Sequence, residues 1–286
     1  MGFDTTGAAS CKRANLYDRR VAYADLELTT LEIDVDGGIA TVVLDRPEVH
    51  NAFDTIMLEE LARVWRHIRH ADDIRAVILT GRGDDAFCTG IDRSVIPPNY
   101  QYDPLTYDDP GRVLGPKSQE VWKPIIAAVN GMACGGAFYL LGEADVIVAA
   151  DHATFFDPHV SYGLVAAFEP ILLLRRMPFG EVLRMALVGA NERVSAETAL
   201  RIGLASEVVP ADQLMPAARQ IAETIAAQPA ASVQATLRTL WAARDLPISQ
   251  ATGLGNLFLQ LGHTTESMEE GQALFRSGAR PKPRIR

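Results

Sequence analysis

Cysteine is scarce in this chain: Cys11, Cys88 and Cys134 are the only three in 286 residues. They form no CxxC or CxxxC spacing, so neither a disulfide framework nor a zinc site of clustered ligands is expected. That pattern fits a reducing compartment, and a cytoplasmic protein is expected. Positive charge is also short. With 27 Lys and Arg against 36 Asp and Glu, the net charge is -9, and a broad basic face for nucleic acid is excluded. The cationic exception is the tail, with Arg280, Lys282, Arg284 and Arg286; it reads as a solvated end. No histidine pair has metal-site spacing together with a carboxylate, so no metal is expected. The opening MGFDTTGAASCKRANLYDRR has no apolar signal core. Its Gly2 and Thr6 fit a myristoylation pattern only by coincidence. The most apolar stretch, Ile125–Ala150, is broken by Asn130, Glu143, Asp145 and the glycine cluster Gly131, Gly135 and Gly136. It reads as buried strand, turn and helix, so no membrane association is expected.

What is abundant is core material. A hydrophobic fraction of 48% with 22% charged residues excludes wholesale disorder and supports a large folded unit. Residues 1–28 read as an N-terminal extension. Two β-rich runs, Leu31–Val35 and Ile39–Leu44, flank Asp36-Gly37-Gly38 as a hairpin. Asp54 caps a helix over Thr55–His70, where Met57, Leu61, Val64, Trp65 and Ile68 recur at helical spacing. Ala76–Thr80 and Ile125–Val129 are continuously apolar, as in strands buried on both faces. Residues 95–116 form a long Pro/Tyr/Asp segment of the kind that is functional or mobile, followed by a helix through Trp122. Strands are expected at Val146–Ala149 and Thr154–Phe156. Helices are expected near Pro170–Arg176 and over Gly180–Leu187, Ser195–Ile202, Ala211–Ala227 and Ser232–Arg244. The plan is a β/α core over 29–205 followed by a helical region over 206–286.

Five motifs occur in order: LDRPEVHNAF, AVILTGRGDDAFCTGID, KPIIAAVNGMACGGAF, ADVIVAADHATFFDP and ERVSAETALRIGLASEVVP. Together they resemble the crotonase (enoyl-CoA hydratase/isomerase) superfamily over roughly residues 30–275. The resemblance implies an α/β fold, a crotonase-like spiral of ββα units with a helical C-terminal region. It further implies a homotrimer or homohexamer and a lyase or isomerase acting on acyl-CoA, with coenzyme A as part of the substrate and no separate cofactor. Thioester chemistry at Cα or Cβ builds negative charge on the thioester oxygen, and two fixed backbone N–H donors stabilise it. Sharp glycine turns supply such donors. This chain has two, Cys88–Asp92 and Gly131–Gly136, and the family pattern assigns the donors to the amides of Ile91 and Gly136. The resemblance places Ala52, Gly90, Asp92 and Gly135 along the bound substrate.

The chain departs from the family at its acid/base residues. Hydratases of the family carry two glutamates; here those positions are Tyr139 and His159. A phenol is a poor base at neutral pH, so Tyr139 either donates a hydrogen bond or fills the pocket. His159 titrates near neutrality and can act as acid or base. Asp157 shares a face with His159 if the stretch is extended, and would then orient the imidazole; otherwise it caps the turn before Pro158. Glu169 is a further candidate, although an exposed place in a helix's first turn is the simpler reading. Ordinary hydration is then expected to be slow unless Asp157 and His159 substitute for the glutamates. Two alternatives stay open: a β-diketone carbon–carbon hydrolase on the same scaffold, suggested by ATFFDPH, and a non-catalytic acyl-CoA binder.

Overall fold

The computed structural model describes residues 26–95, 105, 109–278 and 283–285. Readings of the N-terminal extension, of Cys11, of most of the 95–116 segment and of Arg280, Lys282 and Arg286 lie outside the described residues. Strands β1 (Leu31–Asp36) and β2 (Ile39–Leu44) pair antiparallel, as the hairpin pattern predicts. Gly37 and Gly38 both take positive φ, 58° and 78°, which a tight turn matching the strand twist requires. Helix α1 (Thr55–His70) begins where the Asp54 carboxylate accepts from the Met57 amide at 2.8 Å.

The chain then alternates between two sheets. Strands β3 (Ala76–Gly81), β5 (Ile125–Val129), β7 (Val146–Ala150) and β10 (Glu207–Val209) extend the hairpin into a six-stranded sheet of order β1-β2-β3-β5-β7-β10. From β2 onward its pairs are parallel. Strands β4 (Ala86–Cys88), β6 (Met132–Cys134), β8 (Thr154–Phe156) and β9 (Val194–Ser195) form a second, four-stranded sheet. Each of β3, β5 and β7 therefore hands the chain to a short parallel strand of the second sheet. This repetition, with α2 (Ala137–Glu143), α3 (Phe168–Leu173), α4 (Phe179–Val188) and α5 (Ala196–Arg201), is the α/β spiral of ββα units that the resemblance implies.

Both faces of the large sheet are covered, which explains its unbroken apolar strands. Val77, Leu79, Ile125 and Ala127 face a core with Trp65, Phe87 and Phe138. Ile78, Ile126 and Val148 on the other face meet α6 (Leu214–Ala226) through Ala217, Ala218 and Ala222. The sheet thus runs past residue 205, with β10 beside β7 and α6 behind it. Helices α7 (Ala230–Asp245), α8 (Ile248–Gly253), α9 (Gly255–Gly262) and α10 (Thr265–Arg276) complete the C-terminal region. The helix expected through Trp122 is absent. Pro116 and Pro124 bracket a turn in which the Val121 amide reaches back to Pro116 O, and Glu120 takes a φ of 60°. A residue before proline is held out of the helical region.

Candidate active site

The carboxyl ends of β4, β6 and β8 are neighbours, because these strands are parallel partners. Ligands of parallel sheets are received at such ends. Three loops meet here: Thr89–Asp92, Gly135–Gly136 and Asp157–His159. They border a cavity of about 430 Å³ whose walls include Ala52, Gly90, Ile91, Asp92, Gly135, Gly136 and His159.

The first two loops present backbone donors. Phe53 bridges the Ile91 loop: its amide donates to Gly90 O and its carbonyl accepts from the Asp92 amide, both at 2.8 Å. The Ile91 amide between them points the other way. No described residue accepts from it or from the Gly136 amide. Two glycines make this approach possible. Gly90 has a φ of 84°, and a Cβ there would sit 2.8 Å from Gly136 N. A Cβ on Gly136 would lie 2.5 Å from the Phe53 ring.

Buried side chains hold these loops. The Asn51 amide group donates to Arg82 O at 3.0 Å and Ala86 O at 2.8 Å, while its oxygen accepts from the Arg46 amide at 3.0 Å. Asn130 does the same for the β3–β4 loop, donating to Gly83 O at 2.6 Å and accepting from Gly81 N at 3.1 Å. Arg46 ties Ala52 O at 2.7 Å and the Asp92 carboxylate at 3.0 Å. Ser94 also donates to Asp92, and these bonds hold its carboxyl below the usual range. Asp92 therefore supports the loop with its side chain. Burial pushes the Cys88 and Cys134 thiols up to about 12, so neither is a thiolate nucleophile at neutral pH.

The third loop carries the titratable groups. Asp157 and His159 do meet, but through a single-turn helix, His159–Tyr162, rather than an extended stretch. Asp157 Oδ1 accepts from the His159 amide at 3.1 Å and lies 2.5 Å from its Nδ1. Asp157 thus both caps the turn and fixes the ring. It is 1% exposed, and its Oδ2 has no partner among the described residues. The hydrogen bond to Asp157 raises the His159 pKa above the ordinary imidazole value; burial opposes this, and the charges of Asp157 and Glu169 add to the rise. Glu169 is buried at 6% exposure, not exposed as its helix position suggests. Its Oε1 stands 3.5 Å from His159 Nε2. Burial raises its pKa, His159 offsets part of that, and Asp157 and Asp109 add to it. Tyr139 turns its hydroxyl to Asp109, donating at 2.8 Å, and its ring packs on Gly111. Of its two sequence readings the hydrogen bond is the one seen; the ring lies against Gly111 and does not line the cavity.

Sequence reasoning missed Asp109, Asn130 and Arg46 as parts of this site, and the loop-holding bonds of Asn51. The asparagines had one available signal: each lies in a quoted motif beside a tight turn. Arg284, the one cation of the basic tail among the described residues, pairs with Glu207 on β10.

Comparison with known proteins shows the family. A family model described as enoyl-CoA hydratase/isomerase matches residues 34–279. The chain belongs to the enoyl-CoA hydratase/isomerase family. It is 35% identical over 255 residues to the (E)-benzylidenesuccinyl-CoA hydratase of Thauera aromatica, covering 89% of this chain and 98% of that one. To the short-chain-enoyl-CoA hydratase of Clostridium acetobutylicum it is 28% identical, covering 87% and 95%. A crystal structure of an enoyl-CoA hydratase/isomerase from Mycobacterium paratuberculosis superposes with a TM-score of 0.81 at 33% identity, covering 91% and 100%. The chain is thus an acyl-CoA enzyme of the hydratase/isomerase type. Among the described residues, no helix is long and apolar enough to cross a membrane.

Proposed function

We propose that the enzyme adds water reversibly across the Cα=Cβ bond of an enoyl-CoA thioester, or shifts that bond, using His159 in place of the family's glutamates. The observation that carries this reading is the meeting of two unpartnered amides and an Asp-held imidazole around one cavity. The thioester oxygen sits between the Ile91 and Gly136 N–H groups, each worth about 3 kcal/mol to the enolate-like state. His159, kept charged by Asp157, delivers a proton to carbon in the hydration direction and removes it in the reverse. CoA enters as part of the substrate, along Ala52 and the Gly90–Asp92 loop, and no metal or further cofactor takes part. The (E)-benzylidenesuccinyl-CoA hydratase similarity favours a β-substituted enoyl thioester over a short linear one.

His159→Ala tests the reading. It should lower kcat roughly 10²–10⁴-fold, the worth of one acid/base group, with little change in KM. The assay is loss of enoyl-thioester absorbance. Unchanged turnover would show that the chemistry lies elsewhere. The Asp157–His159 pair also suits activation of water for carbon–carbon hydrolysis. Cleavage of a cyclic β-diketone without CoA would favour that alternative. Assembly as a trimer or hexamer belongs to the same proposal, supported by exposed Leu240, Leu257, Leu261 and Met268 on the C-terminal helices.

A further inference from the structure

The half-buried His159 ring and the buried Glu169 carboxylate face each other at His159 Nε2, and the mechanism above uses only the first. His159 Nδ1 is taken by Asp157 at 2.5 Å, so Nε2 is the nitrogen left for chemistry. The group across from Nε2 is the Glu169 carboxylate at 3.5 Å. That spacing is long for a direct hydrogen bond. A water can donate to the carboxylate while remaining within reach of the ring. Glu169 comes from α3, a different element, and is carried there by the exposed link between the His159 turn and α3. Nothing in the packing of α3 demands a carboxylate at a buried position; an apolar residue would cost less.

We propose that Glu169 is the second acid/base residue of this site, a catalytic base that takes a proton from the attacking water while His159 protonates Cα. This rests on the hydratase reading and completes it. The balance is closed within the pair. The water O–H breaks towards Glu169 as its oxygen bonds to Cβ. The Cα=Cβ electron pair passes into the enolate held by the Ile91 and Gly136 amides, then takes the His159 proton at Cα. Glu169 is left protonated and His159 neutral, and the proton returns across their shared gap.

Charge supports these roles. The groups facing His159 are the carboxylates of Asp157 and Glu169; those facing Glu169 are His159, Asp157 and Asp109, with the Tyr139 hydroxyl on Asp109. Two anions favour the imidazolium, the form that donates. Burial lifts Glu169 towards a useful basicity for water. Activity should fall on the acid side as Glu169 protonates, above the ordinary glutamate range. It should fall on the alkaline side as His159 deprotonates, above the ordinary imidazole range.

The test compares wild type with Glu169→Gln, Glu169→Asp and His159→Gln. Two reactions are followed: hydration of cinnamoyl-CoA and crotonyl-CoA, and exchange of the α-protons of butyryl-CoA in D₂O. Exchange needs only the group at Cα, whereas hydration needs both. Glu169→Gln should lose about 100-fold or more in hydration kcat, lose the acid limb of the pH profile, and keep exchange within a few-fold. Glu169→Asp should recover part of the hydration, and His159→Gln should lose both reactions. Butyryl-CoA binding, by calorimetry, controls for folding. If Glu169→Gln binds butyryl-CoA and hydrates at the wild-type rate with its acid limb intact, the proposal is overturned. Equal loss of hydration and exchange in a Glu169→Gln protein that still binds would also overturn it, since Glu169 would then serve only to support His159. Wild-type protein that binds no butyryl-CoA would instead overturn the acyl-CoA reading beneath it.

Discussion

At the scale of residues, the site depends on glycines that leave room and on polar groups that fill it. Gly90 is the sharpest case. Its φ of 84° and the 2.8 Å gap from its would-be Cβ to Gly136 N leave no place for a methyl group. Gly90→Ala should lower kcat by about 10²–10³-fold, the effect of removing one oxyanion donor. It should also cost roughly 1–3 kcal/mol of stability, from backbone strain. Turnover and thermal midpoint read the two effects separately; a fully active Gly90→Ala protein would remove the Ile91–Gly136 pair from the mechanism. Residue identity made part of this site legible. The glycine turns and His159 stand out in the chain because their chemistry is local. Glu169 was a candidate read as exposed, because its burial against His159 is made by tertiary packing and leaves no mark on the spacing. Asp109 is hidden for the same reason in a Pro/Tyr/Asp segment.

At the scale of elements, long strands and helices were legible, and so was the short β8 at Thr154–Phe156, but β4 and β6 were not. β5 reads plainly from IIAAV, since its two buried faces make an unbroken apolar run. β4 and β6 are three residues each, too short to show a period of two. Yet their ends carry the donors. The helix expected through Trp122 is overruled by the prolines on either side, Pro116 and Pro124. Helix α1 offers an element-level test. Its Glu60, 1% exposed, accepts from the amides and hydroxyls of Thr29 and Thr30 and so fastens the segment before β1. Burial pushes its pKa up, but these bonds outweigh burial and hold it below the ordinary glutamate value. A depressed acid contributes stability above its unfolded pKa and loses it as pH falls through the folded one. Wild type should therefore lose stability below about pH 4.5 more steeply than Glu60→Gln. At pH 7, Glu60→Ala should cost about 1–3 kcal/mol, from unsatisfied donors. Parallel urea titrations at both pH values check this; identical acid slopes would contradict it.

At the scale of the whole molecule, apolar side chains stay exposed on both parts of the chain. The β/α part leaves Ile171, Phe179 and Leu187 half or more exposed, and the C-terminal helices leave Leu240, Leu257, Leu261, Met268 and Phe275 so. Apolar surface of this kind marks an interface. Sedimentation should give a trimer or hexamer at micromolar concentration. Leu257→Glu with Leu261→Glu should shift it towards smaller species; a stable 31.1 kDa wild-type monomer would contradict the assembly.

If one cavity holds the thioester oxygen on two backbone amides and the reacting carbons under His159, a crystal structure with bound butyryl-CoA will show it. The thioester oxygen should lie about 2.7–3.1 Å from both the Ile91 and Gly136 nitrogens, with His159 Nε2 facing Cα and the Glu169 carboxylate towards Cβ. A thioester oxygen bonded to neither amide, or an acyl chain leading away from His159, would contradict it.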